Sequence, residues 1–496
     1  MGDTPPAANV LTDRLLRSWL RCRRKAWLDH RGNPNDRQWT AHRNLQLDDQ
    51  QRSFVALLPE RPGHGEDACR AGAPGVIGLR LKGFGPGGEV LESHPPLLLR
   101  VRGHSRWGDF AYQPVVARQG RRLTREHQIP LAFIAHVLAQ VQQASVPDML
   151  VVGGGGRRLE RQRVGFSAGL KRQLAEALRK LGSDLERSQP PALAADRRKC
   201  ALCCWRGVCS AEAAKAGHLS EVSGIGAKRR EMLLELGIEG LQDLAAADPE
   251  QLALRMERFG EQHGEVAHSL VAQAMVQRDG RVQRLDSELA LPELVDAPGV
   301  LLYDIESDPD ARHDFLHGFV RLPRRDDGQW DLAASRYHPL FVLQQHSERS
   351  CWRRLKTLLD RYPHWPVLHY GETEALALRR MAQRQGLSTA QQTKLRQRLI
   401  DIHARIRRHW RLPLNSYGLK TVAAWRGFHW SQNGADGAKA LLWWRQWQGN
   451  GLKQRGRDQV LRWIFAYNRD DCLATWAVAA WLLEQDSLLN QNSLID

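Results

Sequence analysis

Strand-like and helix-like stretches take turns along the chain, and their changeover points divide it into four segments. The sharpest strand signal is the apolar run Leu301-Leu302-Tyr303 leading into Asp304-Ile305-Glu306. Apolar runs bounded by polar turns predict strands over 299–305, 315–320 and near 336–343, with the charged stretch 324–331 as a hairpin or loop. A helix is expected from Glu348 to Tyr362, a short buried strand over 366–370, a helix from Gly371 through Gln385, and a last helix beginning at Leu461. In the first segment, Leu15, Trp19, Cys22 and Ala26 fall at helical spacing within an amphipathic helix, Leu11 to Asp29. Residues 75–118 alternate like a β-meander. Helices over 126–144 and 165–187 flank a strand and glycine turn at 149–156. The segments are 1–217, 218–256, 257–295 (helical, then linker-like) and 296–496, which makes the chain an α/β multidomain protein.

Charge changes the picture. The chain carries 72 Lys/Arg against 55 Asp/Glu, a formal charge of +17. Residues 1–217 hold 35 basic and 20 acidic residues, so most of the excess lies there. A cationic chain with 17 Trp suits a polyanion, and DNA or RNA is the expected partner. No apolar run is long enough for a membrane span, and the N-terminus lacks a signal-peptide pattern, so a cytoplasmic protein without a membrane partner is expected.

The candidate chemistry starts from Asp304 and Glu306. Residues two apart on a strand share a face, and paired carboxylates repel unless a cation lies between them. Glu374 sits in the first turn of a helix that follows a strand, a usual place for site residues. Tyr467 and Asp471 are four apart and share a face of the last helix, while Asp470 points elsewhere. Asp-x-Glu, a later acid and Tyr-x-x-x-Asp, in that order, resemble the DEDD exonucleases of the ribonuclease H-like fold. His369-Tyr370 before Glu374, Tyr467-Asn468 before Asp471, Ile400-Asp401-Ile402 and Ser416-Tyr417-Gly418-Leu419-Lys420 are most similar to the YprB-type ribonuclease H-like domain. The resemblance implies a mixed β-sheet flanked by helices. It also implies two Mg²⁺ or Mn²⁺ ions on Asp304, Glu306, Glu374 and Asp471, with Tyr467 orienting the attacking water and Asp401 in support. Glu374 stands where many of these enzymes have Asp.

Four of the eight cysteines fall within ten residues: Cys200, Cys203, Cys204 and Cys209. Thiolates this close can converge on one centre, with Cys22 as a distant fourth ligand, and zinc competes with an iron–sulfur cluster for such a set. One Cys in an N-terminal helix and three near the domain's end resemble the iron–sulfur RecB-like nucleases, a restriction-endonuclease-like α/β fold. The resemblance implies a 4Fe–4S cluster on Cys22, Cys200, Cys203 and Cys209, with Cys204 able to replace Cys203. Its Pro-Asp and acid-x-Lys positions align with Pro96-Leu97 and Val116-Ala117-Arg118, and Asp109 and Glu126 are the only acids nearby. This centre is therefore expected to be degenerate and to bind nucleic acid without cutting it, unless Asp109 is a displaced ligand.

Between the two, Gly224-Ile225-Gly226 opening a helix resembles a helix-hairpin-helix element. Its glycines would admit a phosphate to the backbone N–H groups, with Lys228 and Arg229 assisting. Trp410, Trp425, Trp430, Trp443, Trp444, Trp447 and Trp463 are interleaved with Arg405, Arg407, Arg408, Arg411, Lys420, Arg426 and Arg445, as a stacking surface would need. Four or five of these Trp are nevertheless expected to be buried. Taken together the residues predict a metal-dependent nuclease, the DEDD resemblance implies a 3′–5′ exonuclease as its leading form, and a helicase is a candidate companion. A non-catalytic nucleic-acid-binding scaffold and a structure-specific endonuclease are the alternatives. The first test is whether the four carboxylates converge, since separations beyond about 8 Å exclude two-metal chemistry.

Overall fold

The computed structural model of the protein describes residues 10–118, 122–153, 159–194, 197–309, 311–342, 348–449 and 453–492. The chain divides into two compact units, Met1–Ala211 and Glu212–Asp496.

The first unit is built on a six-stranded mixed sheet. In spatial order its strands are Gly63–His64, Gly75–Ile77, Leu97–Ser105, Gly108–Ala117, Asp148–Gly153 and Glu160–Gly165. The stretch 75–118 is not a simple meander. Its hairpin of Leu81–Phe84 and Val90–Ser93 leaves for a second sheet, where Val90–Ser93 pairs in parallel with Leu11–Thr12. The helix Arg125–Gln142 fills the core, with every residue from Ile129 to Ala135 buried, and Ala168–Glu186 packs through Leu170, Leu174, Leu178 and Leu181. The glycine turn expected after Gly153 falls on 154–158, outside the described residues.

The N-terminal helix departs from its amphipathic reading. It breaks at Cys22, whose extended backbone ends the helix Asp13–Arg21 and begins the helix Arg23–Arg31. The break resets the helical phase, so Leu16 is buried while Leu15 and Trp19 pack at the core's margin. The two ends of this unit are tied together directly. Asp184, buried, pairs with Arg23 and accepts from Trp19 Nε1 at 2.7 Å. Arg24 donates to the Pro191 carbonyl at 2.8 Å, and buried Trp205 donates through Nε1 to Asp29 at 2.8 Å.

The second unit opens with helices Ala227–Glu235, Leu241–Ala246, Pro249–Glu257, Glu261–Gly264 and Ala267–Asp279, most of them around one small core that includes Leu233, Leu244, Met256 and Leu270. Gly237, at φ +78°, ends the first of these as its sequence suggests. The stretch 257–295 contributes the helix Ala267–Asp279 to that core, and Gln283–Arg284 pairs with Trp410–Arg411.

A five-stranded sheet forms the rest, in the order Arg336–Phe341, His313–Pro323, Gly299–Asp308, Val367–His369 and Leu399–Asp401. The first three strands pair antiparallel with one another in turn, and the last two run parallel to Gly299–Asp308. Strand alternation splits the core in two. Leu301, Tyr303 and Phe319 pack with the helices Glu348–Arg361 and Glu372–Arg384 on one face. Val300 and Leu302 face the other, with residues of the 39-residue helix Gln454–Asn492. Asp304 and Glu306 continue the second face by the same period of two. Far along that helix, buried Asp486 accepts from Ala290 N and Leu291 N, both at 3.0 Å, and so ties the helix to the segment that enters the first strand.

Candidate active site

Asp304, Glu306 and Asp471 each offer a carboxylate oxygen, and these oxygens lie within 4.8 Å of one another. Glu306 and Asp471 are buried and Asp304 is half-buried. A bulge in the pairing just after Glu306 ends the regular ladder at the site. Burial, then the charges of Asp471, Glu306 and Glu374, hold the Asp304 carboxyl well above its ordinary range. Glu306 is raised in the same way, by burial first and Asp471 next. Asp471 is pushed up to about 6, chiefly by burial, with Trp430, Lys420 and Tyr467 pulling against it.

Two residues that spacing did not pick out set the geometry. Asn468 is fully buried, donates Nδ2 to Asp304 Oδ2 at 2.6 Å, and accepts from the Tyr337 hydroxyl at 2.8 Å. Gly318, across the ladder from Asp304, makes room for it: a Cβ at Gly318 would fall 1.5 Å from Asn468 Oδ1. A lone glycine inside Phe315–Val320 was the available signal, since such a glycine marks a close approach. Asn468 is singled out in sequence only as part of the Tyr467-Asn468 pair of the YprB-type resemblance, and spacing gives it no role because the residue beside a motif Tyr points about 100° around the helix from it.

Tyr467 is buried one turn before Asp471. Burial, with Asp471 and Glu306 nearby, keeps its phenol un-ionised. Lys420 Nζ stands 4.9 Å from the Tyr467 ring centroid and 5.7 Å from that of Trp430, and it donates to the Ala435 carbonyl. Trp430 Nε1 donates to Asp471 Oδ1 at 2.6 Å. Asp470 turns away, accepting from the backbone and side chain of Ser431, as its phase on the helix requires.

Glu374 lies outside the tight trio. Its Oε2 is buried and has no hydrogen-bond partner, and burial, with the charges of Asp401 and Asp471 adding, pushes its carboxyl up to about 7. Asp401 supports it from below. It accepts from Gly371 N at 2.9 Å and from Ala404 N at 3.2 Å, fixing the turn from which the Glu374 helix starts. Gly371 holds φ +103°, a conformation that an L-residue resists. Crowded buried carboxylates with one orphaned oxygen are the donor set that a hard divalent cation requires.

The other predicted residues fall elsewhere. Cys22, Cys200, Cys203 and Cys209 line one cavity of about 60 Å³, whereas Cys204 opens into a separate groove. Outside the acidic trio, no three Cys, His, Asp or Glu among the described residues bring ligand atoms within 4.8 Å of one another. Gly224 is at φ +91° and Gly226 caps its helix without a side chain. Lys228 is exposed, while Arg229 turns back to the Gly224 carbonyl at 2.7 Å. Asp109 is not a displaced ligand. It is 94% exposed at a hairpin tip, 3.0 Å from His104, and seven residues of strand, about 23 Å, separate it from Val116. Glu126 lies 3.9 Å from Arg21 and 3.4 Å from Lys199.

The tryptophan-rich stretch is chiefly packing. Trp410, Trp443 and Trp444 are buried, Trp425, Trp430 and Trp447 are half-buried, and Trp463 is exposed. Adjacent Trp443 and Trp444 are buried against different partners, the former 5.6 Å from Trp463 and the latter stacked 4.3 Å from Phe315. Several of its arginines are taken up in ion pairs, one of them buried. Arg445 pairs with Asp308 at 2.9 Å with both side chains buried, Arg408 pairs with Glu288, and Arg405 with Glu293.

Residues 301–483 match the RNase_H_2 family model of the RNase_H superfamily, which spans all four acids and Tyr467. No curated protein matches the chain. The protein is thus an α/β multidomain chain whose C-terminal domain is RNase H-like. No helix among the described residues is long and apolar enough to cross a membrane.

Proposed function

We propose that the RNase H-like domain is a metal-dependent phosphodiesterase acting on DNA or RNA, in the form of a 3′–5′ exonuclease. The observation that carries this reading is the convergence of Asp304, Glu306 and Asp471 within 4.8 Å, on a face where burial holds all three carboxyls above their usual range. Asp304, Glu306, Glu374 and Asp471 would hold Mg²⁺ or Mn²⁺, two ions in the DEDD manner. When bound, such ions supply a hydroxide nucleophile near neutral pH and positive charge against the developing oxyanions. The chain's own residues do the rest. Asn468 fixes the Asp304 carboxylate. Tyr467 keeps its proton and presents a hydroxyl that can orient water beside Asp471. Lys420 adds a fixed cation behind that ring.

The same reading treats the first unit as a RecB-like fold with a degenerate centre and a 4Fe–4S cluster. Its support is the meeting of Cys22, Cys200, Cys203 and Cys209 on one cavity from opposite ends of the unit. A tetrathiolate zinc site holds its sulfurs roughly 4 Å apart. A cluster several atoms across holds them further apart. The helix-hairpin-helix would offer Gly224, Gly226, Lys228 and Arg229 to a phosphate, and a cytoplasmic enzyme working beside a helicase completes the reading.

The deciding experiment incubates the full-length protein with end-labelled single- and double-stranded DNA and RNA and Mg²⁺ or Mn²⁺, beside Asp304→Ala. Stepwise shortening from the 3′ end by the unaltered protein alone is expected. Equal product from both proteins would remove the proposed centre. Visible absorbance of anaerobically purified protein, lost in Cys22→Ser, separates cluster from zinc.

A further inference from the structure

The first unit contains an open groove of about 1170 Å³ lined by eight Arg/Lys and three Asp/Glu. Its floor is the end of the strand Gly108–Ala117, which runs parallel to Asp148–Gly153. Ligand sites in such sheets lie beyond the carboxyl ends of parallel strands. Here that end presents Val116, Ala117 and Arg118, with no carboxylate among them, and Arg118 is held by Glu160. The strand end itself offers a hard cation no carboxylate, and the groove's acids, Asp29, Asp49 and Glu126, each lie beside an Arg or Lys.

The cations of the groove are unevenly matched. Lys25 and Arg37 pair with Asp29, and Arg21 lies 3.9 Å from Glu126. Arg14, Arg17, Arg43 and Arg122 form no ion pair among the described residues. Arg14, Arg17, Arg21 and Arg43 crowd one another. Burial first, and then Arg43, Arg14 and Arg21 against the opposing pull of Asp13, hold the Arg17 guanidinium below its usual value. Like charges gathered around an open groove are unfavourable until a polyanion fills it. The groove also presents Trp39, 58% exposed, and an exposed indole beside phosphate-binding cations is how bases of an unpaired strand are held.

We infer that this groove is a metal-independent binding site for a single-stranded nucleic acid, whose phosphates lie along Arg14, Arg17 and Arg43 and one of whose bases stacks on Trp39. In this respect the inference rests on the proposed reading of the first unit as a fold with a degenerate centre, and the strand is released intact. The inference stands apart from the C-terminal centre and holds whether or not that centre cleaves.

The test is fluorescence anisotropy of a labelled single-stranded oligonucleotide with full-length protein in EDTA, over a range of salt. Arg14→Glu/Arg43→Glu reverses two exposed charges away from the core. It is expected to weaken binding at least about tenfold and to flatten the log–log salt slope by about 1.4, since each single-strand phosphate contact contributes about 0.7. Trp39→Ala is expected to weaken the single strand and leave duplex binding unmoved. Arg172→Glu/Arg179→Glu, the same charge change on an exposed helix face outside the groove, serves as the control. Unchanged binding in Arg14→Glu/Arg43→Glu, or an equal loss in the control, overturns the site. Competition by inorganic polyphosphate as effective as by an oligonucleotide of equal charge, or duplex binding as tight as single-strand binding, overturns the single-strand assignment. Nuclease activity is read separately with Asp304→Ala, so failure of one reading leaves the other standing.

Discussion

Asn468 Nδ2 lies 2.6 Å from Asp304 Oδ2, and this bond joins the first acid of the cluster to the helix that carries the last. It orients Asp304 and favours its charged form against burial. Partners that orient metal-binding carboxylates typically contribute about 10–100-fold to affinity or activity. Asn468→Ala is therefore expected to lower turnover by roughly that factor and to raise the half-saturating Mg²⁺ concentration. Tyr337→Phe, which removes only the hydroxyl behind Asn468, is expected to have a smaller effect of the same kind. Steady-state rates across a metal titration check both.

Gly318→Ala tests the same bond from the opposite strand. The added methyl would fall 1.5 Å from Asn468 Oδ1, so the amide must leave Asp304 or the strands must part. Overpacking of this sort costs about 1–3 kcal/mol. Chemical denaturation should register that loss, and activity should fall as far as in Asn468→Ala. A Gly318→Ala protein with full activity would contradict the cradle.

Acidity and stability are linked at this centre. Asp471 is raised from 3.8 to about 6 and Glu374 from 4.5 to about 7, and Asp304 and Glu306 move the same way. A group whose folded pKa is raised contributes stability that is complete below its unfolded pKa and is lost as pH rises through its folded pKa. Metal-free protein is thus expected to lose Tm between pH 5 and pH 8. Mn²⁺ or Mg²⁺, which binds the ionised site, should restore more Tm at pH 8 than at pH 5. Asp471→Asn should flatten the metal-free profile. Differential scanning calorimetry in EDTA and in metal reads all three outcomes, and a metal-free Tm that climbs toward pH 8 would refute them.

Lys420 has two opposed effects. Its charge eases the ionisation of Glu306 and Asp471 while it competes with any incoming cation. Lys420→Met is expected to lower the half-saturating metal concentration several-fold and to reduce turnover. It should also lower metal-free stability at pH 8. Lys420→Arg, keeping the charge, should restore stability better than turnover, because the ammonium's place between the Tyr467 and Trp430 rings is specific.

The acidic strand was readable because a continuous apolar run, buried from Gly299 to Tyr303, leads into two acids whose spacing of two puts them on one face. Tyr467 and Asp471 were readable because one helical turn aligns them. Asn468 stood in the Tyr467-Asn468 pair, but its role was not readable, since it depends on a strand 150 residues earlier leaving out a side chain at Gly318. The helix break at Cys22 was hidden for a related reason. Apolar spacing continues across it, and only the extended backbone at Cys22 shifts the phase. The tryptophan-rich stretch was expected to be mostly buried, and three of its seven Trp are buried and three half-buried. Aromatic–basic interleaving looks the same in sequence whether the rings stack on bases or, as with Trp444 on Phe315, on one another.

The long final helix also decides when this domain can exist during synthesis. Asp486 accepts from Leu291, 195 residues earlier, and Asp471 meets Asp304 only once that helix is made. A ribosome that has completed the sheet still holds Asp304 and Glu306 without their third acid, and the amides of Ala290 and Leu291 without their acceptor. Contacts this distant in sequence form late and slowly. The acidic cluster is therefore incomplete in any nascent chain that has not yet reached Asp471, and the anchor that closes the domain waits on Asp486.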